Sequence, residues 1–438
     1  MALLRIQVPR GSQETGAQDD APSAPAGSSP GGRTRRRGLV SGGSGPPSAR
    51  VLAYHGNLFG RFLKTRQAPA RRKAIMALEF ATIDTPAAFA GLREQWNELA
   101  RRSAVDHAFM RHEWFSAWLE HLPWRGELRV LTAHRDGRLV GAAPLRLERT
   151  RRRGMTVRLL SFLQSGISPR CHFLVDRDED PTAIFDGLWS IEGWDLAELK
   201  SLAEDEALTG SLVDHLVARG TCIVETGGVS PYQEMPADWT AFEKTRSKGF
   251  RKRFRNSNNR CRKADGFELL KIETAAAFDD AFADMLEIST NSWKAAGGTD
   301  LVTQAGMGEF FRSFARATAA DGLWVVYLLR LGGRPAAFDF YVRHDGRLVG
   351  LRWEYDESFS YYMPGVVVHV AAIRDLLEDG GREYDLAGTD TDFKSGLVDA
   401  ARNHVDITFA RGGFKSRVLI ALKDALVQGR RDGLLPGG

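Results

Sequence analysis

The chain has 438 residues, 43% of them hydrophobic, and a formal net charge of +5. That length suffices for two or three domains, each with its own core, and no run approaches the ~20 apolar residues that a membrane span needs. Cys171, Cys222 and Cys261 lie far apart without a CxxC spacing, which argues against a disulfide framework and a zinc site and fits a reducing cytoplasm.

Residues 1–75 read as a disordered, basic, low-complexity tail. Gly, Ser, Pro, Ala and Arg dominate from 11 to 50, and no hydrophobic period runs through them. This tail has 13 Lys or Arg against three acidic residues, while the remainder has 47 against 52, so the chain's basic character belongs to the tail. The runs at 33–37 and 71–73 are open to three readings: a nucleic-acid arm, an acid-poor targeting peptide, or sequence upstream of a native start at Met76. The third fits best, because the folded pattern begins directly after Met76 with Leu78, Phe80 and Ile83.

Residues 76–239 form a first α/β unit. Phe89, Leu92, Trp96 and Leu99 recur at helical spacing, as do Trp114, Phe115, Trp118 and Leu119, and both sets read as core. Strand-like runs at 128–133 and 139–145 flank Asp136-Gly137, a strong hairpin pair. Further strands are expected at 157–163, 196–199 and 222–225, with a helix over 206–218.

Residues 240–266 read as a basic linker helix. From 244 to 263 there are ten Lys or Arg and no acidic residue. Asn256, Ser257, Asn258 and Asn259 weaken helix propensity in its middle, and Phe250 and Phe254, four apart, anchor it to the body. A charge run is usually a solvated face, yet ten like charges repel one another, so an anionic partner is the competing reading. Arg251, Lys252 and Arg255 are the candidate anion contacts here, with Arg352 further along the chain.

Residues 267–425 form a second unit, with a flexible tail over 426–438. Its hairpin at 324–342 turns on Gly332-Gly333 and overlays the first by matching Gly333-Arg334 to Gly137-Arg138, a hint of internal duplication. The strand-like run 347–355 then leads through Ser360-Tyr361-Tyr362-Met363-Pro364-Gly365 into a helix whose stripe is Val366, Val370, Ile373 and Leu377. Pro364 suits the first helical position, and Gly365 allows close approach to the backbone. A helix start of this kind carries unpaired N–H groups suited to phosphate, although an ordinary strand–turn–helix crossover would look the same.

Four segments together, Tyr355-Asp356, the turn from Tyr362 to Val368, Gly380-Gly381-Arg382-Glu383-Tyr384-Asp385-Leu386, and Phe393-Lys394-Ser395-Gly396, resemble the GNAT (N-acetyltransferase) superfamily, in its CelD-type, cellulose-biosynthesis-associated branch related to the Fem-type aminoacyl transferases. The resemblance spans roughly residues 77–425. Met363 stands where the family's turn carries Ser. The fold implied is α/β, with two tandem GNAT-like mixed-sheet units and helices on both faces.

The activity implied is transfer of an acyl group from acyl-CoA, as co-substrate, to an amine acceptor, by direct attack, in polysaccharide or cell-envelope biosynthesis. An aminoacyl-tRNA-dependent Fem-like transferase and a non-catalytic accessory protein are the alternatives. Tyr355, Pro364, Gly365, Val366 and Val367 would bind the cofactor, with no metal. Glu354 and Asp339 are the candidate bases. Glu354 shares a strand face with Arg352 and could equally form a surface pair with it. Asp339 interrupts the apolar run 336–342, so it faces a cleft, has a partner, or sits with Tyr341 on a solvated face. The resemblance gives Lys394 the task of steadying the transferred carbonyl; pairing with Asp390 or Asp392 is its alternative. His369, inside the apolar helix, reads as a core residue.

Overall fold

The computed structural model describes residues 4–5, 77–105, 107–152, 154–164, 166–220, 222–388 and 396–431. Two-residue turns set much of its register. Asp136-Gly137, Gly332-Gly333 and Asp345-Gly346 have positive φ at both positions, the geometry whose twist matches that of antiparallel strands. They join Val130–Arg135 to Arg138–Ala143, Trp324–Leu331 to Arg334–His344, and Arg334–His344 to Arg347–Tyr355. Both expected hairpins are therefore present.

Among the described residues the strands form a twelve-stranded and a four-stranded sheet. The small sheet holds Glu79–Ile83, Val130–Arg135, Arg138–Ala143 and Leu174–Val175. The large one begins with Leu4–Arg5, which pairs with Glu268–Ile272, and continues through Trp324–Leu331, Arg334–His344, Arg347–Tyr355 and Glu383–Asp385. It then crosses to Cys222–Glu234, Ala400–Ala410, Leu196–Ala203, Met155–Phe162, Leu145–Arg152 and Glu127–Leu128. Apart from Leu4–Arg5, the expected tail over 1–75 lies outside the described residues.

The two units are interleaved, which corrects the simple boundaries near 239 and 267. Ala400–Ala410, from the end of the second unit, lies between Cys222–Glu234 and Leu196–Ala203 of the first. Cys222–Glu234 runs for 13 residues, far beyond the expected 222–225, because it pairs with Ala400–Ala410 and also with Glu383–Asp385. A bulge between Thr226 and Gly228 bends it on the way. Gly227 leaves room there for the Asp406 carboxylate, whose Oδ1 would lie 2.3 Å from an added Cβ and accepts from Ser201 N.

The basic linker is two helices, not one. Trp239–Thr245 and Lys248–Lys263 break at Arg246-Ser247, where Ser247 caps the second helix through Phe250 N at 3.0 Å. Arg246 is buried at the break and pairs with Asp399 and Gln233. Helix Lys248–Lys263 runs unbroken through Asn256–Asn259, because Phe250, Phe254, Ser257 and Cys261 bury one face of it. At the C-terminus, helix Phe414–Arg431 passes through the position where a flexible tail was expected.

One core joins the units. Trp114, on helix His112–His121, meets Phe310 and Phe314 of helix Met307–Thr318 edge-on, with centroids 4.9 and 5.1 Å apart. A second cluster packs helices Lys248–Lys263 and Pro364–Glu378 against the outer face of strands Trp324–Leu331 and Arg334–His344. Among the described residues, no helix is long and apolar enough to cross a membrane.

Candidate active site

Strand Arg347–Tyr355 pairs in parallel with Glu383–Asp385, and helix Pro364–Glu378 connects them. Where the strand ends and the helix begins, a cavity of about 440 Å³ opens, lined by Arg253, Trp353, Tyr355, Met363, Gly365 and Val366, with Asp339, Glu354 and His369 on its walls. The groove is not plugged. An added Cβ on Gly365 would meet nothing nearer than Tyr355 Cδ1 at 4.0 Å.

The helix opening differs from the expected row of unpaired amides. Pro364 takes the first helical position and has no N–H. Met363 is left-handed (φ 50, ψ 54), which turns its carbonyl into the first helical turn, and Val366 N donates to it at 3.2 Å. Among the described residues, Gly365 N is left without a hydrogen-bond partner. Of the expected cofactor contacts, Pro364 is buried behind the opening, Tyr355, Gly365 and Val366 line the cavity, and Val367 is buried in the helix without lining it.

The basic helix is fastened to this turn. The single Ser257 Oγ–H is shared between the carbonyls of Tyr362 and Met363, each 2.8 Å away. Arg260 donates to the Tyr361 carbonyl at 2.8 Å and stacks on that ring. Helical spacing then sorts the charges. Gly249, Arg253, Asn256 and Arg260 form the flank beside the buried stripe that faces the turn, and Arg253 lines the cavity. Arg251, Lys252 and Arg255 lie elsewhere around the helix and line no part of it.

The two candidate carboxylates are in opposite states. Glu354 is 2% exposed and saturated with donors. Ser289 and Ser292 hydroxyls reach Oε2 at 2.6 and 3.0 Å, Lys294 Nζ lies 3.5 Å from Oε1, and Arg352 pairs with the same oxygen. The pair with Arg352 is thus buried, not superficial, and Arg352 also donates to the Thr299 carbonyl, so its charge is already engaged. The lone pairs of this carboxylate are committed to four donors, two of them cationic.

Asp339 is 1% exposed and has neutral or titratable partners only. Tyr341 donates to its Oδ2 at 2.8 Å, and His369 Nδ1 lies 3.0 Å from the same atom. Tyr384 completes the group, 2.8 Å from both the Tyr341 hydroxyl and His369 Nδ1. Burial pushes the Asp339 carboxyl well above the usual carboxylate range, and the Tyr341 and Tyr384 hydroxyls well above theirs. The reading of Asp339 as sitting on a solvated face is therefore corrected: the alternation with Tyr341 is real, but that face is inside. His369 is buried as expected and also reaches the cavity.

Lys294 had no sequence signal. Its Nζ donates to the Trp353 carbonyl at 3.2 Å and lies 5.6 Å from both the Trp293 and Trp353 rings. Burial first, then the neighbouring Arg352, pulls its pKa down to about 8. Lys394 lies outside the described residues, as do its alternative partners Asp390 and Asp392. Among the described residues, no cluster of His, Cys, Asp or Glu could hold a metal ion.

A second cavity of about 540 Å³ lies across Trp353, between the units. Ser168, Ser201 and Ser230 line it from the first unit, Thr299, Gln304 and Arg352 from the second, and His404 from the exchanged strand Ala400–Ala410. His404 Nε2 is buried without a partner among the described residues, and burial with Arg170 and Arg402 nearby brings the ring down to about 4, so it is neutral at neutral pH. Trp353 is part of both walls.

Residues 248–395 match the family model described as an acetyltransferase (GNAT) domain. No curated protein matches the sequence. Among solved structures, the chain is similar to FemX (TM-score 0.50, 13% identity, covering 75% of this chain and 96% of that one). It is also similar to the C-terminal domain of a putative lysylphosphatidylglycerol synthetase from Agrobacterium fabrum (0.48, 13%, 77% and 97%) and to a tandem GNAT protein from the clavulanic acid biosynthesis pathway (0.43, 14%, 77% and 99%). The fold is α/β, with mixed sheets and packed helices, and the likeness to FemX is one of fold.

Proposed function

We propose, from the premise of the acetyltransferase-domain match over 248–395, that this protein transfers an acyl group from acyl-CoA to an amine acceptor. The observation that carries the reading is the open cavity at Gly365 with Asp339 on its wall. The acyl-pantetheine arm would enter there along strand Arg347–Tyr355, its phosphates toward the helix opening. The acceptor would come from the inter-unit cavity, whose lining of hydroxyls, a neutral imidazole and an amide suits a polar, uncharged body such as a sugar-linked amine. The two would meet at Trp353.

In this mechanism the amine nitrogen attacks the thioester carbonyl carbon. A C–N bond forms, the C–S bond breaks and the CoA thiolate leaves. Asp339 takes the proton from the nitrogen; its raised pKa is what a general base working near neutral pH requires. Tyr341 and His369 hold its carboxyl in place. Glu354 is a positioning residue that fixes Arg352 and Lys294. Lys394 keeps the carbonyl-steadying role that the resemblance gives it. The CelD-type branch and a cytoplasmic role in polysaccharide or cell-envelope biosynthesis belong to the same reading and rest on the motifs around Tyr362–Val368 and Gly380–Leu386.

A thermal-shift screen of acyl-CoA esters tests the reading, since a ligand that binds only the native state raises its melting point. Release of free CoA thiol in the presence of amines then tests turnover. No shift with any ester would sink it. The eight basic residues on helix Lys248–Lys263 favour a second reading, an aminoacyl-tRNA-dependent transferase. That reading requires steeply salt-dependent tRNA binding, weakened by Arg251→Ala with Arg253→Ala. Binding of neither ligand would leave the third reading, a non-catalytic accessory protein, which Met363 in the turn allows.

A further inference from the structure

The cavity at Gly365 is short of positive charge for a diphosphate. Backbone capture at a helix start depends on several unpaired amides. Here Pro364 has none to give, Val366 is occupied by the Met363 carbonyl, and Met363 provides no hydroxyl. The cations inside the site are engaged too: Arg352 and Lys294 both bind Glu354. The remaining positive charge at the mouth lies on the fastened helix.

We infer that the phosphates of the acyl donor are gripped by the turn-facing flank of helix Lys248–Lys263, with Arg253 as the principal contact and Gly365 N as a backbone donor beside it. Arg253 is exposed, lines the cavity, and has no acidic partner among the described residues. Arg260, one step along the flank, extends the positive strip while its own side chain is fixed on Tyr361. Asn256 lies between them, and Gly249 leaves the near end of the flank bare. The hold of Ser257 on the turn carbonyls keeps this flank in register with the helix opening. Donor recognition is thereby divided: the apolar cavity takes the acyl-pantetheine arm, and the basic flank takes the charge. This also gives a reason for the uncompensated charge of the segment, because acidic neighbours on this flank would compete with the ligand.

The inference rests on the acyl-CoA reading, and the test separates the two. Coenzyme A and S-acetyl-pantetheine, which lacks the phosphates, are titrated by calorimetry into the full chain and into Arg253→Ala, Arg253→Lys and Arg262→Ala. Arg262, nine residues on and half a turn around the same exposed helix surface, lies opposite Arg253, so its loss removes equal charge away from the mouth. Arg253→Ala is expected to weaken coenzyme A about ten- to hundred-fold, the range for a charge-assisted contact, to leave S-acetyl-pantetheine within about two-fold, and to flatten the salt dependence. Arg253→Lys should recover part of the loss, and Arg262→Ala should stay within about two-fold. If the wild type binds coenzyme A and Arg253→Ala binds it equally well, or loses both ligands alike, this inference alone is overturned. If the wild type binds neither, the acyl-CoA reading and the inference fall together.

Discussion

Both units contain a parallel strand pair closed by a crossover, and the two crossovers do different work. In the second unit, Arg347–Tyr355 reaches Glu383–Asp385 through helix Pro364–Glu378, which starts at an open cavity. In the first, Met155–Phe162 reaches Leu196–Ala203 through a stretch that, among the described residues, holds strand Leu174–Val175, a five-residue helix at Pro181–Phe185 and a 3-10 turn. Its start, around Gly166–Pro169, forms a wall of the inter-unit cavity instead. The sheet pattern is repeated, and the helix opening is not. A parallel pair needs only a connection of sufficient length, whereas a ligand-binding helix start needs a particular turn.

The sharpest way to break the comparison is at Asp339, which has a place only in the second unit. Asp339→Asn is expected to lower kcat for acetyl transfer about 10²–10⁴-fold, the range for a lost general base, measured by thiol release under saturating acetyl-CoA. It should also change a pH profile. The folded Asp339 value lies above its unfolded value of ~3.9, so its contribution to stability is intact below that value and is lost as pH rises through the raised one. Melting curves of wild type should therefore lose more stability on that rise than those of Asp339→Asn; parallel curves would contradict the burial argument.

Glu354→Gln breaks the neighbouring cluster and leaves Arg352 and Lys294 short of a counter-charge. A loss of about 3–5 kcal/mol of stability is expected, the cost of uncompensated buried charge, read by denaturant unfolding. A stable but inactive variant would instead make Glu354 the base.

A paired substitution contrasts the crossovers directly. Gly365→Trp fills open space in the donor cavity and should raise the Kd for acetyl-CoA at least about ten-fold, or 1.4 kcal/mol, with the fold intact. Gly166→Trp, also in open space, should leave that Kd unchanged and raise the KM for the amine. Exchange of the two effects would reverse the assignment of the cavities.

The smallest effect is at Lys294. Its ammonium should titrate near pH 8 by NMR of labelled lysine, against ~10.4 for an ordinary lysine. Because the folded value is depressed, its stabilising contribution is present above the ordinary value and is lost as pH falls through about 8. Glu354→Gln should lower that midpoint further, since the carboxylate is what holds the proton there.

Much of this was legible in the sequence wherever the cause is local. Asp-Gly and Gly-Gly pairs specify their own turns, so both hairpins could be read directly. Pro364-Gly365 and the 4, 3, 4 apolar spacing set helix Pro364–Glu378. A carboxylate in the apolar run 336–342 marked Asp339 as unusual from composition alone. Even Arg253 could have been found, since the buried stripe Phe250, Phe254, Ser257 and Cys261 fixes which residues flank it. Local propensity was overruled where packing is stronger: Asn256–Asn259 stay helical because Ser257 holds the turn.

What only the tertiary structure decided depends on contacts distant in sequence. The exchange of Ala400–Ala410 into the first unit is a matter of edge pairing, which carries no local signature. Asp339, Tyr341, His369 and Tyr384 meet because two strands and a helix converge, and nothing in the spacing of 339, 369 and 384 encodes that. Which carboxylate is saturated with donors follows from groups supplied by Ser289, Ser292 and Lys294, more than fifty residues from Glu354. Turn chemistry and periodicity act over a few residues and survive in the sequence as pattern, while burial and charge compensation are properties of the assembled neighbourhood.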